Sequence, residues 1–230
     1  MISIIIITLN EEKYVGHILS DLTKQSEKPY EIIVVDAHSK DKTVEVVKRF
    51  QKKLPIVLLS TQANPSLQRN AGATIASGDT LLFLDADIRL YDYHFLKKIG
   101  KLAKEYDIVL PTIKIEDANF SEHCMEKIIA ATLFFSRLIN LPGARGGCIL
   151  MAASVFKKIK GFNETLFIAE DIECIRRAAK QGSIYYAPLV VHESNRRYRA
   201  VGIMKITMVW AKAGIRSLIG KKTKGYIPIR

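Results

Sequence analysis

The sequence predicts an α/β protein: a doubly wound, mostly parallel sheet flanked by helices, with a basic C-terminal helix. Three observations predict it. Short runs that are apolar throughout recur along the first hundred residues, as strands covered on both faces require. Amphipathic segments separate these runs, the alternation that crossover helices produce. Charge is uneven: ten of the 35 Lys and Arg residues follow Glu193, and none of the 23 Asp and Glu do.

Each element follows from its local pattern. Ile2–Thr8 is an apolar run that reads as a buried strand, and 13–24 reads as a helix. Glu31–Asp36 is the next strand, and 43–52 is a helix with Val44, Val47 and Phe50 on one face. Ile56–Ser60 is a strand and 66–76 is helical. Gly78 and Asp79 turn the chain into strand Thr80–Asp85, and 93–106 is helical. The alternation then loosens. A strand is expected over 107–115, and a helix over 120–140 whose apolar Ile128, Ile129, Leu133, Phe134, Leu138 and Leu141 read as core, or else as a second membrane contact. A loop runs from Pro142 to Gly147, followed by strand Cys148–Ala152. The segment 171–181 is a helix with Ile172, Ile175, Ala178 and Ala179 on one face, stopped by Gly182. No linker, repeat or charge block precedes residue 194, so one domain over 1–195 and a basic amphipathic appendage over 196–230 are expected.

Composition narrows the class. With 230 residues, 48% hydrophobic and 25% charged, the chain is neither disordered nor collagen-like nor of low complexity. Its three cysteines, Cys124, Cys148 and Cys174, have no CxxC or zinc spacing, so they read as small hydrophobes in a reducing compartment. The N-terminal apolar run is too short for a signal peptide, and no stretch of about twenty uncharged apolar residues suggests a transmembrane helix. A cytoplasmic protein is expected.

Acids close three strands. Glu31–Asp36 ends at Asp36, Thr80–Asp85 continues as Asp85-Ala86-Asp87, and Ile2–Thr8 runs into Leu9-Asn10-Glu11-Glu12. In a parallel sheet these ends converge on one edge. Two carboxylates one residue apart suit a hard cation such as Mg²⁺ or Mn²⁺ bridging to substrate phosphates, or else an acidic turn before the next helix. No GxGxxG or GxxxxGK[ST] is present, which removes most support for a dinucleotide oxidoreductase or a P-loop NTPase. Glu170-Asp171 is either catalytic or the acidic first turn of a helix. Arg145-Gly146-Gly147 is either a loop open to close approach by a ligand or a plain turn. Gln68-Arg69-Asn70 by itself fits a solvated helical face. His17, His38, His94 and His123 have no ligand spacing.

Taken in order, the segments Thr8-Leu9-Asn10-Glu11, Val34 to Thr43, Gln68 to Gly72, Phe83 to Asp87, Arg145-Gly146-Gly147 and Ala169-Glu170-Asp171 resemble family-2 glycosyltransferases with the GT-A fold. That fold has a Rossmann-like nucleotide-binding half. The resemblance covers residues 2 to about 193 and implies an inverting, metal-dependent transfer from a nucleotide-diphosphate sugar to an acceptor. It implies that Thr8, Asn10, Glu11, Gly146 and Gly147 line the donor site and that Asp36 contacts the nucleobase. Arg69 would lie near the base or phosphates. Asp85 would touch ribose or sugar and share the metal with Asp87. Asp171 would be the catalytic base with Glu170 beside it, and His192 would complete the metal or diphosphate site. Ala37 and His38 stand where the family commonly has Asp and Gly, which implies altered base recognition. Arg196, Arg197 or Arg199 would add guanidinium donors to the diphosphate.

The segment 200–220 can form a helix with Lys205, Lys212 and Arg216 on one stripe and Ile203, Trp210, Ala211 and Leu218 opposite. With Lys221, Lys222 and Lys224 beyond it, that pattern fits an interfacial helix on an anionic membrane, or a helix packed on the domain. The first reading predicts a peripheral protein on the inner membrane face with a lipid-linked acceptor. Two rival functions remain. A nucleotidyltransferase also uses acids and Mg²⁺, but lacks support from a Gly-rich loop after the first strand. A non-enzymatic polyanion-binding module would explain the charge, yet few aromatics interleave the basic residues, so no specific nucleic acid is expected.

Overall fold

A computed structural model describes residues 1–202, 205–209 and 212. The chain runs β1 (Ile2–Thr8), α1 (Val15–Lys24), β2 (Glu31–Asp36), α2 (Thr43–Phe50), β3 (Ile56–Ser60), α3 (Pro65–Ile75) and β4 (Thr80–Asp85). It continues through β5 (Ile88–Arg89), α4 (Phe95–Leu102), β6 (Ile108–Ile115), α5 (Phe120–Leu138), β7 (Cys148–Ala152), α6 (Ala153–Lys158), α7 (Glu170–Ala178), β8 (Ile184–Glu193) and α8 (Arg196–Val201).

One sheet has the order β3-β2-β1-β4-β7-β6-β8-β5. The half from β3 to β4 is parallel, as expected. The other half is mixed: β7 runs antiparallel to β4 and β6, and β5 antiparallel to β8. Alternate residues of the central strands supply two apolar layers. Ile4, Ile6, Val34 and Leu82 pack under α1, α2 and α4, with Ile18, Leu22, Val47 and Phe95. Ile5, Val35 and Phe83 pack under α6 and α7, with Phe156, Cys174 and Ile175. Each fully buried Ile or Phe contributes about 1.5–3 kcal/mol, so runs without alternation require covering on both faces.

Local chemistry sets the helix starts that matter for the site. Asn64 Oδ1 accepts from Ser66 N and Leu67 N at 2.9 and 3.2 Å, with Pro65 opening α3. Asn119 and Glu122 form a reciprocal capping box at α5.

Several expectations are corrected. β5, α6 and β8 have no counterpart in the expected order of elements. β8 is mostly half-buried and contains Pro188, and its pairing with β6 shifts register at Pro111/Thr112, so it lacks the clean period that marks a strand. The apolar residues of 120–140 are not core: Ile128, Phe134, Phe135 and Leu138 are exposed. Cys124 is exposed as well, while Cys148 and Cys174 are buried. Residues 196–201, assigned to an appendage, form α8 within the body, with Tyr198 buried. Gly202 at φ 87 ends α8, and 205–209 are helical. Of the expected basic stripe, Lys205 and Lys212 are described and exposed. Arg216, Trp210 and the Lys221-Lys222 cluster lie outside the described residues.

Candidate active site

Thr8 and Asp36 are partners across β1 and β2, and Ile7 and Asp85 across β1 and β4. The strand-end acids therefore lie along one edge of the sheet. Asp36 is turned inward and is 2% exposed. Its Oδ1 accepts from Thr8 Oγ1 at 2.8 Å and from Ser39 Oγ at 2.5 Å, and its Oδ2 from Ser39 N at 2.8 Å. Asn10 braces the same loop: its N donates to Ser39 Oγ at 2.8 Å, and its Oδ1 accepts from Lys40 N at 2.9 Å. His38 takes φ 56, a left-handed conformation that favours glycine. Thr8, Asn10 and Asp36 are thus brought together, and the bonds they make hold the two loops above the sheet.

Glu11 is buried beside them, and its N donates to Thr43 Oγ1 at 2.7 Å. Arg196 grips it in bidentate fashion: Nη2 donates to Oε1 and Nη1 lies beside Oε2, each at 2.7 Å. The same Nη2 is 3.2 Å from Asp87 Oδ2, and the guanidinium lies over Tyr14 at 4.3 Å. Arg196 therefore reaches the expected edge but is engaged with carboxylates. Burial raises the Asp87 carboxyl above its ordinary value; Arg196 and Arg197 oppose this and Asp85 adds to it.

Arg69 differs from expectation. It does not lie on a solvated face: it is 3% exposed. Nη2 donates to Asp85 Oδ1 at 2.8 Å and Nη1 to Glu170 Oε1 at 2.9 Å, with the Phe162 ring 5.3 Å away. Burial alone would lower its pKa, but Asp85, Glu170 and Asp171 hold it above the usual arginine value. Arg69 joins acids 85 residues apart in sequence, Asp85 and Glu170, into one site.

Glu170 and Asp171 open α7, so both sequence readings apply together. Ala169 precedes them at φ 62, a strained left-handed conformation for alanine. Asp171 is half-buried and its Oδ1 accepts from Ile172 N at 2.8 Å. Its carboxyl is pushed up to about 7, first by burial and then by Glu170; the Ile172 bond and Arg69 act against this. Gly146 makes room for it. A Cβ there would sit 2.7 Å from Asp171 Oδ2 and 3.0 Å from its Cβ. The close approach expected for a ligand is thus made by the candidate base. Gly147 O accepts from Asp85 N at 3.0 Å, and a Cβ at Gly147 would sit 3.0 Å from Ile88.

Sequence reasoning missed a second cluster. Arg145 donates to Ile113 O at 2.9 Å, to Tyr198 Oη at 2.7 Å and to Glu193, and Tyr198 also donates to Glu193. The signal was present: Glu193 is the last acid in the chain and, like Asp36 and Asp85, ends a strand. Without β8 that position had no structural meaning.

The metal assignment fits in part. Asp85 and Asp87 offer hard oxygen donors, and burial makes Asp87 a carboxylate that a cation would help to ionise. His192 is not brought to them. It is paired with Arg89 in the β5–β8 ladder, its ring lies 5.0 Å from that of Tyr91, and burial lowers its pKa. Among the described residues no three His, Cys, Asp or Glu side chains form a cluster able to hold a metal ion. Magnesium or manganese would therefore rest on the two aspartates and complete its shell with phosphate oxygens and water.

The family model for glycosyl transferase family 2 matches residues 3–160. The chain is 34% identical over 125 residues to the Staphylococcus aureus poly(ribitol-phosphate) beta-N-acetylglucosaminyltransferase TarS, covering 51% of this chain and 21% of that one. It is 26% identical over 201 residues to an uncharacterized glycosyltransferase of Haemophilus influenzae, covering 84% and 66%. The chain thus spans about a fifth of TarS. The structure of TarS 1-349 with UDP-GlcNAc overlays at a TM-score of 0.71 and 24% identity, covering 85% of this chain and 58% of that one. The Pyrobaculum calidifontis mannosyltransferase PcManGT, with GDP-Man and Mn²⁺, overlays at 0.76 and 20% identity, covering 97% and 65%. The fold is that of GT-A glycosyltransferases. With more than half of its length matched by that model, the chain belongs to glycosyl transferase family 2.

Proposed function

We propose that the chain transfers a sugar from a nucleotide-diphosphate sugar to an acceptor, with inversion and with a divalent cation. The observation that carries this reading is the Arg69 bridge, which sets the Asp85-Ala86-Asp87 acids beside Glu170-Asp171. A donor-side pair of carboxylates next to a half-buried carboxyl near pH 7 is what a single displacement at an anomeric carbon needs. Asp171 takes the proton of the acceptor hydroxyl. The acceptor oxygen bonds to the anomeric carbon while the bond to the diphosphate breaks and its electron pair leaves with the nucleoside diphosphate. One displacement inverts the centre. Bound Mg²⁺ or Mn²⁺ supplies charge neutralisation for the leaving diphosphate. Asp85 and Asp87 would hold it, and Thr8, Asn10 and Asp36 fix the loops that frame the donor.

Two solved structures of like fold hold UDP-GlcNAc and GDP-Man with Mn²⁺, so uridine and guanosine donors with Mn²⁺ are the first to test. Release of nucleoside diphosphate in the presence of an acceptor extract supports the reading. Release of pyrophosphate instead would reassign the chain to nucleotidyl transfer. No described helix is long and apolar enough to cross a membrane. The basic residues after Glu193, apart from Arg196, favour peripheral attachment to the anionic inner face of a membrane and a lipid-linked acceptor.

A further inference from the structure

Helix α5 is turned inside out. Phe120, Cys124, Ile128, Ala131, Phe135 and Leu138 fall on one arc of the helix, and all six are exposed. Phe135 is 63% exposed and Leu138 65%. Helical spacing of this kind normally marks the face a helix buries. Here the acids occupy the inner face. Glu122 is buried in the capping box, and Glu126 is half-buried and accepts from Ile115 N at 2.5 Å. The outward arc therefore carries no acid, and Lys127 lies on it.

Basic groups lie near both ends of α5, with Arg137 on its inner side. At the C-terminal end of α5, a cavity of about 700 Å³ is lined by Arg137, Arg176, Arg177 and Lys180, with Tyr186 and the lone acid Glu173. Glu173 is bidentate with Arg177, so it offers little charge to the opening. Toward the other end, Thr207 Oγ1 meets Met125 Sδ at 3.2 Å, which places the 205–209 turn beside α5. That turn adds exposed Met208, Val209 and Lys205.

We infer that the outward face of α5, flanked by this arginine-lined cavity, is a docking surface for an anionic lipid bilayer. An apolar ridge with no acid and cations at its margins matches acyl chains beneath phosphate headgroups. The charge complementarity favours a bilayer over a second copy, which would bring the same cations face to face. This surface is centred on α5, away from the donor site, so it stands even if sugar transfer is disproved.

The test is sedimentation of the full chain with phosphatidylglycerol–phosphatidylcholine vesicles and with phosphatidylcholine alone, at low and high salt. Ile128→Ser/Phe135→Ser/Leu138→Ser should lower partitioning into anionic vesicles about 100-fold or more, at both salt levels, with the thermal midpoint unchanged. Arg176→Gln/Lys180→Gln should lower it about tenfold, at low salt alone. Failure of the parent to bind anionic vesicles at low salt overturns the inference. So does a triple variant that binds like the parent, which would leave the tail as the membrane contact. A parent dimer that the triple variant makes monomeric, with vesicle binding unchanged, also overturns it and assigns the face to a second copy.

Discussion

Arg69 donates to Asp85 and to Glu170 at 2.8 and 2.9 Å, from a position on α3 with almost no access to solvent. It binds both halves of the site. Because the planar guanidinium spans two carboxylates with separate nitrogens, Lys cannot replace it. Its loss would leave two acids facing each other without a shared cation.

Arg69→Met is therefore expected to destabilise the fold by about 3–5 kcal/mol, the usual result of breaking one side of a buried ion pair. Arg69→Lys should recover part of the stability and little of the activity. Urea denaturation with parallel turnover assays checks both. Equal activity in Arg69→Lys and the parent would remove Arg69 from its positioning role.

Asp171→Asn tests the base. General base catalysis is worth roughly 10²–10⁴-fold, so the barrier should rise by at least about 3 kcal/mol when chemistry limits turnover. Donor binding, read by calorimetry, should survive. Near-parental turnover would reject the assignment.

The raised Asp171 carboxyl also sets a pH dependence. A base must be ionised, so kcat should fall about tenfold per unit below pH about 7. Stability should move the other way. With a folded value above the unfolded one, Asp171 favours the fold most fully below the unfolded carboxylate range. That contribution fades as pH rises through about 7. Asp171→Asn should thus be more stable than the parent at pH 8, by about 1–2 kcal/mol, and equal to it near pH 4. Thermal melts at the two pH values decide this.

Gly146→Ala would place a methyl group 2.7 Å from Asp171 Oδ2. Asp171 must move, and a shift of about 1 Å in a reacting group can cost about 100-fold in rate. The expected result is a fall in kcat with little change in donor affinity. A parental kcat would show that the carboxyl tolerates displacement.

Chelation should abolish transfer, and added Mn²⁺ or Mg²⁺ should restore it. Asp87→Ala should remove that rescue, since Asp87 is expected to carry the cation with Asp85. Persistent manganese dependence in Asp87→Ala would move the metal elsewhere.

Much of this protein is written locally. The strands Ile2–Thr8, Glu31–Asp36, Thr80–Asp85 and Cys148–Ala152 have the bounds their apolar runs imply, because burial on both faces leaves little room for polar residues; the edge strand Ile56–Ser60 matches as well, though Val57 is exposed. The acids that end two of these strands stand out as site candidates for the same reason. Tertiary structure alone decided the rest. It made Arg69 a buried bridge rather than part of a solvated helical face, since its partners come from β4 and α7. It gave Gly146 to Asp171, turned Asp36 inward onto Thr8 and Ser39, and drew Arg196 onto Glu11. It also faced the apolar arc of α5 outward, which periodicity cannot foresee: spacing shows that a helix has an apolar side, and only the neighbours it meets determine where that side points.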